Sequence, residues 1–361
     1  MRVAIVTINF PTGDLIGGAE LQAYFLAKHL PELGAQTSYV AMRNHAGAAY
    51  VEEKDGFLLR CLSGKEERMF RAMWRLFVLF RKERPDVCYV REFRILFPLL
   101  VICRLSGTTV VFNTTHERNL TPYYGWQGIK GTFFHALSFL SLRLVDRVIA
   151  NNSAHADHLR AKYGILAVPI LNSMEDHYVP GTSKERQVLW VANVKSRKRP
   201  EMFISLAEQL KDSGYRFVMV GHLQGDSGGY AEMIRRAEAQ NPAFTYLGGK
   251  TPREVDQLLS ESQIFVSTCK PEGFPNNIIQ ACLAECAIVS VDYDPDGIFS
   301  KQEIGFVPKT FNDTISVMQS LFSDEKRRTD IGKKARTYAL ERHSLKRNMR
   351  TFYDLFLSLK K

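Results

Sequence analysis

Four cations lie close together in the chain, directly after a β-rich apolar run that ends near Val191. They precede Pro200 and Glu201, which are typical of the first turn of a helix. Cations at a helix N-terminus oppose the helix dipole, so this clustering is easier to understand if they bind a phosphate. A solvated run of charge is the alternative. The four cations are Lys195, Arg197, Lys198 and Arg199.

A second polar loop follows the apolar run that ends at Ser267. Its Glu272 can accept hydrogen bonds from sugar hydroxyls, and the N–H groups of the helix that Pro275 predicts can bind a diphosphate. The alternative is a helix cap with a solvent-facing acid. Gln280 lies about one turn further along this helix. The candidate ligand-binding residues here are Gly273, Phe274, Pro275, Asn276 and Gln280.

Two loops in the first half of the chain also follow predicted strands. Gly17 and Gly18 stand before a helix, where they permit close backbone approach and present N–H groups to an anion. They do not form the G-x-G-x-x-G dinucleotide motif, and an ordinary connecting loop is the alternative. His116 follows a strand that ends near Asn113, and the carboxyl ends of strands in open α/β sheets bind ligands. The sequence therefore predicts a functional His116, although a lone histidine is often structural.

These loops connect short β-rich runs that alternate with helical segments, which is typical of parallel α/β sheets. The first series predicts strands near residues 3–8, 36–42, 57–61, 87–91, 109–113, 147–150 and 168–171. The second series predicts strands near residues 188–193, 216–221, 245–248, 264–267 and 287–292. Helices are predicted between them, including residues 19–33, 66–82, 133–145 and 153–163.

The polar, aperiodic segment with Pro180 and Gly181 predicts a linker between two domains. We predict an α/β fold of two Rossmann-like domains that face one another across a cleft, with a final helix that can cross back to the first domain. The predicted ranges are a first domain over residues 1–172, a linker over 173–186, a second domain over 187–344 and a helix over 345–361.

Taken together, these stretches resemble the retaining family 4, or group 1, glycosyltransferases, which have the GT-B fold. The resemblance covers nearly the whole chain, in the order Gly17–Glu20, Leu144–Asn151, Lys198–Glu201 and Glu272–Asn276. It implies transfer of a sugar from a nucleotide-sugar donor to an acceptor, with retention at the anomeric carbon. It makes residues 1–172 the acceptor-side domain and residues 187–344 the nucleotide-sugar-binding domain, and it implies that the candidate residues of the loops bind the nucleotide-sugar. It also implies no essential metal and no cofactor.

The resemblance assigns roles residue by residue. The phosphate-binding pair of the family falls on Asn193 and Lys198, and its donor-sugar acid falls on Glu272. The cleft histidine falls on His116, which with Glu272 forms the predicted catalytic pair, and Glu20 belongs to the acceptor side.

Two positions depart from the family pattern. Asn193 stands where the family has arginine, which removes one fixed charge at the phosphates, and Arg197 or Lys195 can compensate. Gln280 stands where the family has a ribose-binding glutamate. An amide can still accept and donate a hydrogen bond, but a charge-assisted bond would be about twice as strong. These changes predict weaker or altered donor binding rather than lost chemistry.

Composition excludes several other classes of protein. The 361 residues are 45% apolar and 24% charged, which is usual for a soluble enzyme and excludes a disordered or disulfide-rich chain. The six cysteines are predicted to be buried free thiols, and a reducing compartment fits them. The D-x-D pattern of Asp292, Asp294 and Asp296 is interpreted as a turn rather than a metal site. The net charge of +10 favours anionic partners, but the chain has no nucleic-acid-binding module.

Residues 68–82 combine a basic stripe with many aromatic residues. At about 100° per residue, Arg68, Arg71, Arg75 and Lys82 share one side of the predicted helix. Such a helix can lie on an anionic membrane surface, which would suit a lipid-linked acceptor. The alternative is an ordinary Rossmann helix packed on the sheet with its cations in water, and the sequence favours this alternative while leaving membrane contact open.

The sequence thus predicts a cytoplasmic glycosyltransferase of the hexosyltransferase type, which can lie at the inner face of the membrane and act in polysaccharide or glycoconjugate assembly. The predicted partners are a nucleotide-sugar donor and a glycan or lipid-linked acceptor, and no nucleic acid. The alternatives are a nucleotide-sugar epimerase or hydrolase, and a catalytically degenerate nucleotide-sugar-binding protein.

Overall fold

The computed structural model describes residues 1–10, 17–43, 47–64, 67, 69–114, 129–223, 229–270 and 273–360. The chain forms two compact units. The first comprises Met1–Asn172 together with Leu345–Lys361, and the second comprises Ser173–Ser344. Each unit is an α/β domain built on a mainly parallel sheet, as the alternating pattern predicts.

Within the described residues, the sheet of the first unit has eight strands in the order β3-β4-β2-β1-β5-β6-β7-β8. All pairs are parallel except β3 with β4. The strands are β1 (Arg2–Thr7), β2 (Gln36–Ala41), β3 (Tyr50–Lys54), β4 (Phe57–Cys61), β5 (Val87–Val90), β6 (Thr109–Thr114), β7 (Arg147–Ala150) and β8 (Ala167–Pro169). Central strands such as β1 and β5 are buried on both faces, which explains their continuous apolar sequences.

Helices cover both faces of this sheet. They are α1 (Gly18–His29), α2 (Met69–Glu83), α3 (Leu96–Ser106), α4 (Ile129–Leu144), α5 (Ser153–Tyr163) and α13 (Leu345–Leu359). One core lies under α2, α3, α4 and α5, and a second core lies under α1 and α13. The final helix α13 therefore belongs to the first unit, where Phe352 and Phe356 contact the ring of Tyr89.

The second unit has five parallel strands in its described part, in the order β11-β10-β9-β12-β13. They are β9 (Glu185–Val191), β10 (Arg216–Val220), β11 (Phe244–Tyr246), β12 (Ser262–Ser267) and β13 (Ala287–Ser290). The helices are α6 (Pro200–Gln209), α7 (Tyr230–Gln240), α8 (Pro252–Glu261), α9 (Asn276–Leu283), α10 (Ile298–Gln302), α11 (Phe311–Ser323) and α12 (Glu325–Arg342). Residues of α6, α7 and α11 form one core with the sheet.

Local sequence explains where several helices begin and end. The Asn152 side chain accepts a hydrogen bond from the His155 amide at the start of α5, and Gly164 ends that helix in the left-handed conformation. Thr251 and Glu254 form a reciprocal capping box before α8, with Pro252 in the first turn. These caps satisfy backbone groups that the helices leave unpaired.

The antiparallel strand β3 is the one strand of the described first unit that the sequence analysis does not predict. It forms a hairpin with β4 through Asp55 and Gly56, whose φ angles are 48° and 80°. Positive φ at both central residues is the geometry that an Asp-Gly turn favours. β3 lies at an edge of the sheet and is largely exposed, so it lacks the apolar run that marks the other strands.

The segment predicted as a linker is held on the second unit. The Lys184 ammonium donates to the backbone carbonyls of Ser262 (2.8 Å) and Ala284 (2.7 Å). Asp176 pairs with the guanidinium of Arg336 at 2.8 Å. These contacts fix residues 176–184 beside α8, α9 and α12.

The six cysteines are buried and free, as predicted. Among the described residues, no helix is long and apolar enough to cross a membrane.

The position of α13 gives a stability prediction. Phe356 is fully buried in the first unit, so Phe356→Ala should lower the free energy of unfolding of that unit by about 3–5 kcal/mol. The neighbouring Leu357 is 49% exposed, so Leu357→Ala should change the free energy of unfolding by about 0.5 kcal/mol or less. Urea unfolding followed by circular dichroism measures both. Equal losses in the two variants would contradict this packing of α13.

Candidate functional site

The loop that follows β9 carries the predicted cations at the carboxyl edge of the second sheet. It runs from Ala192 to Arg199 and contains a 3-10 turn over Ser196–Lys198. Its backbone is fixed at two places: the Val194 amide donates to the His222 carbonyl (2.8 Å), and the Lys270 amide donates to the Arg197 carbonyl (3.0 Å). The loops after β9, β10 and β12 are therefore held side by side.

The hydroxyl of Thr268 holds the end of this loop. It donates to the carbonyl of Lys198 at 2.6 Å and lies 3.0 Å from the carbonyl of Arg199. The buried indole N–H of Trp190, on β9, donates to the same hydroxyl at 2.9 Å. One buried side chain on the β12 loop thus fixes the backbone from which Lys198 projects.

The Arg199 side chain has a different role from its neighbours. Its guanidinium donates to the carbonyls of Thr268 and Val291, the second at 2.9 Å, and lies 3.8 Å from the carboxylate of Asp292. Its side chain is only 16% exposed. Arg199 therefore joins the loops after β9, β12 and β13. Lys195 is exposed, and Arg197 and Lys198 are half-buried, as is Asn193.

The next loop leads into α9, which begins at Asn276 with Pro275 as its N-cap. The first turn of α9 contains no acidic residue, so the positive end of the helix is not neutralised by its own side chains. Phe274 is buried against the ring of His343, and Gly273 accepts a hydrogen bond from the Tyr293 hydroxyl at 3.0 Å. Glu272 lies outside the described residues.

The start of α9 is tied to the cationic loop. The Asn277 amide group donates to the carbonyl of Val191, the last residue of β9, at 2.6 Å. The cationic loop and the N-terminus of α9 therefore lie next to one another at the carboxyl edge of the sheet. Two positive features, side-chain cations and helix N–H groups, meet there, and together they can bind a phosphate.

Gln280 contacts the neighbouring helix α8. Its amide group donates to Asp256 Oδ1 at 2.7 Å, and Asp256 Oδ2 lies 2.7 Å from His177 Nδ1. Burial raises the pKa of Asp256 despite these two partners. The side chains of Gln280 and Asp256, with Glu175, His177 and Tyr178, line a small cavity beside α8 and α9.

Two glycines that the sequence analysis does not single out bring the neighbouring loops together. A Cβ on Gly221 would lie 1.7 Å from the carbonyl oxygen of Ala192, and one on Gly249 would lie 1.8 Å from the His222 ring. Glycine is required at Gly221 because the Ala192 backbone approaches it so closely, whereas a side chain at Gly249 would have to displace the His222 ring. The sequence could have identified both glycines, because Gly221 follows β10 directly and Gly249 lies shortly after β11.

Gly17, Gly18 and Glu20, predicted site residues of the first unit, lie at the start of α1. Gly17 is the N-cap of α1, and the carboxylate of Glu20 folds over it, because a Cβ on Gly17 would lie 2.1 Å from Glu20 Oε2. The first turn of α1 thus already has a carboxylate close to its N–H groups. Gly18 is the first residue of α1. His116 lies outside the described residues.

Glu92 is a further candidate that the sequence analysis misses. It follows β5 at the carboxyl edge of the first unit's sheet, and burial raises the pKa of its carboxyl group. The carboxylate of Glu20 raises the pKa of Glu92 further, and the Arg94 guanidinium opposes both effects. The first unit therefore brings two carboxyl groups into electrostatic contact at this edge. The rule that ligands bind beyond strand carboxyl ends could have identified Glu92.

Two buried polar groups nearby have an atom without a partner. Asn113 donates to the Tyr89 hydroxyl at 2.7 Å, but its Oδ1 has no hydrogen bond. The Nε of Arg91 is also buried and unpaired. Such groups are expected where a ligand completes the hydrogen bonding.

A cavity of about 360 Å³ lies elsewhere in the first unit, between α2 and the sheet. Arg2 and Gln36, the first residues of β1 and β2, line it together with Arg60 and Phe80. It contains none of the predicted site residues and lies toward the amino ends of the strands.

The aspartates of the D-x-D pattern form a turn, as predicted. Asp294 accepts hydrogen bonds from the backbone amides of Phe299 (2.9 Å) and Ser300 (3.1 Å) and so caps α10. Asp296 adopts a φ of 55° within the turn. Among the described residues, no group of three or more His, Cys, Asp or Glu side chains is arranged to hold a metal ion.

Comparison with known proteins agrees with this architecture. The model of Glycosyltransferase Family 4 matches residues 16–170, and the model of Glycosyl transferases group 1 matches residues 175–338. A search of curated proteins found no match.

Several solved structures share the fold over almost their whole length. Sucrose-phosphate synthase from Thermosynechococcus elongatus has a TM-score of 0.81 at 13% identity, with 99% of this chain and 98% of that chain covered. HepE from Anabaena, solved with UDP-glucose, has a TM-score of 0.73 at 14% identity, with 99% and 100% covered. TarM from S. aureus has a TM-score of 0.74 at 12% identity, with 98% of each chain covered.

The two family matches follow one another along the chain and correspond to its two Rossmann-like units. The protein therefore belongs to the family 4, or group 1, glycosyltransferases with the GT-B fold, and it is an enzyme of that class.

Proposed function

We propose that this enzyme transfers a hexose from a nucleoside diphosphate sugar to a glycan or lipid-linked acceptor, with retention of the anomeric configuration and without a metal ion. The observation that carries the proposal is the meeting of the cationic loop with the N-terminus of α9, through the hydrogen bond from Asn277 to the Val191 carbonyl. HepE, which shares the fold, was solved with UDP-glucose, and this supports a nucleotide-sugar donor.

The leaving diphosphate gains negative charge as the bond between the anomeric carbon and the phosphate oxygen breaks. Lys198, Arg197 and the first N–H groups of α9 would stabilise that charge. They are held before the reaction begins, because Thr268 and Arg199 fix the backbone of the loop. Donors that are preorganised in this way contribute strongly to catalysis.

Glu272 and His116 would orient the donor sugar, which is the role of the matching residues in the family. The acceptor oxygen would attack the anomeric carbon from the face that the diphosphate leaves, and its proton would pass to the departing phosphate oxygen. This route needs no protein nucleophile. Gly17, Gly18, Gly273, Phe274, Pro275 and Asn276 are proposed to contact the nucleotide-sugar.

Glu20 and Glu92 are proposed to bind hydroxyl groups of the acceptor. The two carboxyl groups interact at the carboxyl edge of the first sheet, and the unpaired atoms of Arg91 and Asn113 offer a donor and an acceptor near the same edge. A polyhydroxylated acceptor matches this mixture of groups. We place the reaction in the cytoplasm, in the assembly of a polysaccharide or glycoconjugate.

The contact of Gln280 explains its departure from the family pattern. A glutamate at this position would bring a second carboxylate against Asp256, whereas the glutamine amide donates to it at 2.7 Å. Gln280 thus donates a hydrogen bond where a glutamate would repel Asp256. The departure from the family's glutamate therefore does not imply a loss of activity. The carbonyl oxygen of Gln280 would make the ribose contact.

Lys198→Ala should lower kcat about 100-fold or more, because it removes a preorganised cation from the leaving group. Glu272→Ala should cause a comparable loss through the donor sugar. The measurement is acceptor-dependent release of nucleoside diphosphate from a panel of uridine, guanosine and adenosine diphosphate sugars. Lys211→Ala is the matched control, since Lys211 is exposed and pairs with Glu208. A wild-type rate in either test variant would remove that residue from the site.

The same assay distinguishes the other activities. Release without any acceptor would identify a hydrolase, formation of an epimer would identify an epimerase, and donor binding without release would identify a degenerate binding protein.

Gln280→Glu should destabilise the second unit by about 1.5–3 kcal/mol, because a hydrogen bond to a carboxylate is replaced by repulsion between two acids. Adding Asp256→Asn should restore most of that stability, since the asparagine amide can donate to the new glutamate. Thermal unfolding of the two single variants and the double variant measures this coupling. If Gln280→Glu kept full stability, Asp256 would not account for the glutamine.

Removing divalent metal with EDTA should leave the transferase rate unchanged, because cationic side chains and helix N–H groups stabilise the diphosphate. The control is the same assay with added Mg²⁺ or Mn²⁺. A large loss of rate that either ion restores would contradict the metal-independent mechanism.

A further inference from the structure

Helix α2 carries two apolar stripes on opposite sides. Ala72, Leu76 and Phe80 are almost completely buried against the sheet. Phe70, Trp74 and Val78 repeat the same i, i+4, i+8 spacing on the other side and are 78%, 60% and 49% exposed. A helix that only covers a sheet needs one apolar stripe. The second, exposed stripe therefore indicates a surface that binds something other than the sheet.

The two neighbouring helices extend the exposed stripe. Val101 and Leu105 are exposed on α3, and Leu140 and Leu144 are exposed on α4. These three helices pack on the same face of the sheet, so their exposed sides point away from it together. We call the combined surface the outer apolar face. It consists of Phe70, Trp74, Val78, Val101, Leu105, Leu140 and Leu144.

Two arginines join the three helices edge to edge. Arg81 of α2 donates to the carbonyl of Leu105 at the end of α3 (3.0 Å), and Arg104 of α3 donates to the carbonyl of Leu144 at the end of α4 (2.6 Å). Both guanidinium groups cap helix C-termini, where carbonyls lack partners within the helix. These bonds place Leu105 and Leu144 beside the neighbouring helices, so α2, α3 and α4 form one layer.

The charge of the three helices is mainly positive, although Asp146, just after α4, pairs with Arg104 at 3.1 Å. Together α2, α3 and α4 contain seven Lys or Arg residues and one acid, Glu83, which pairs with Arg60. Arg71, Lys82 and Arg143 are exposed next to the apolar residues. Arg75, part of the predicted basic stripe, instead donates to the Leu62 carbonyl and pairs with Glu67 at 2.9 Å, and Arg68 lies outside the described residues.

We propose that the outer apolar face docks the enzyme on an anionic lipid bilayer. Phe70, Trp74 and the aliphatic residues of α3 and α4 enter the interfacial region, and Arg71, Lys82 and Arg143 contact the phosphate headgroups. Aromatic residues beside cations on one face are the pattern that interfacial helices use. The purpose of this docking rests on the proposed function, because a lipid-linked acceptor would lie in the same bilayer.

Charge favours a bilayer over a second copy of the chain. A twofold interface would bring this face against itself and would place cations opposite cations, with no acid in α3 or α4 to neutralise them. An anionic bilayer neutralises the same cations. The predicted basic stripe of α2 thus forms only one border of a broader surface.

The test is sedimentation with phosphatidylcholine vesicles that contain phosphatidylglycerol, at low salt and without nucleotide-sugar. We expect wild-type protein to bind these vesicles. Replacing both Phe70→Ser and Trp74→Ser should weaken binding about tenfold or more, because two large apolar side chains are lost from the interface. Arg71→Gln and Lys82→Gln should each weaken it about fivefold, and this effect should fade at high salt. Leu340→Ser, at an exposed leucine on α12 of the second unit, is the matched control and should bind as wild type does.

Two outcomes would overturn the proposal: absence of binding to the anionic vesicles by folded wild-type protein, and unchanged binding by the Phe70→Ser, Trp74→Ser variant. A dimer in vesicle-free ultracentrifugation that this variant dissociates would assign the face to a second copy instead. Thermal unfolding checks that the variants fold. The assay uses no donor, so failure of the proposed transfer reaction would leave the vesicle result intact, and failure of vesicle binding would leave the transfer reaction intact.

Discussion

The candidate donor site depends on how the Arg199 guanidinium and the Thr268 hydroxyl hold three loops together. Arg199 donates to the carbonyls of Thr268 and Val291, and Thr268 donates to the carbonyl of Lys198. These carbonyls lie at the ends of parallel strands, where backbone groups no longer pair within the sheet. A charged donor that binds two of them holds the loops more firmly than neutral contacts would. The left-handed backbone of Arg199, with a φ of 48°, costs about 1–2 kcal/mol and persists because these bonds enforce it.

These hydrogen bonds give Arg199 a structural role within the basic cluster. Arg199 uses its charge on the protein's own carbonyls, while Lys195 is the exposed cation of the loop and Arg197 and Lys198 are half-buried. The Asn193 position, where the family carries arginine, lies in the same loop. A rigid backbone under Lys198, together with the N-terminus of α9, can provide electrostatic stabilisation with one fewer fixed charge, because preorganised groups need no rearrangement as the diphosphate leaves.

In the first unit, the two sides of the layer formed by α2, α3 and α4 have different surroundings. The inner sides of α2, α3 and α4 form the core with the sheet, while their outer sides present apolar and basic residues to the surroundings. The carboxyl edge of the same sheet carries Glu20 and Glu92. The proposed recognition of a polar acceptor and the proposed contact with a lipid surface therefore use separate parts of one domain. The packing that stabilises the domain also holds the outer face in place.

The sequence by itself determined the class of fold, the order of the strands along the chain and the family, because buried parallel strands require long apolar runs and the loops between them carry distinctive residues. It also identified the cations of the β9 loop and the turn-forming aspartates. It could not separate Arg199 from Lys198, since neighbours in the chain differ only in what the loops after β12 and β13 bring to them. It could not find the Asp256 partner of Gln280, 24 residues away on another helix. The outer apolar face likewise required the tertiary structure, because the sequence shows a basic stripe and many aromatic residues in α2 but only packing decides which apolar residues the sheet covers.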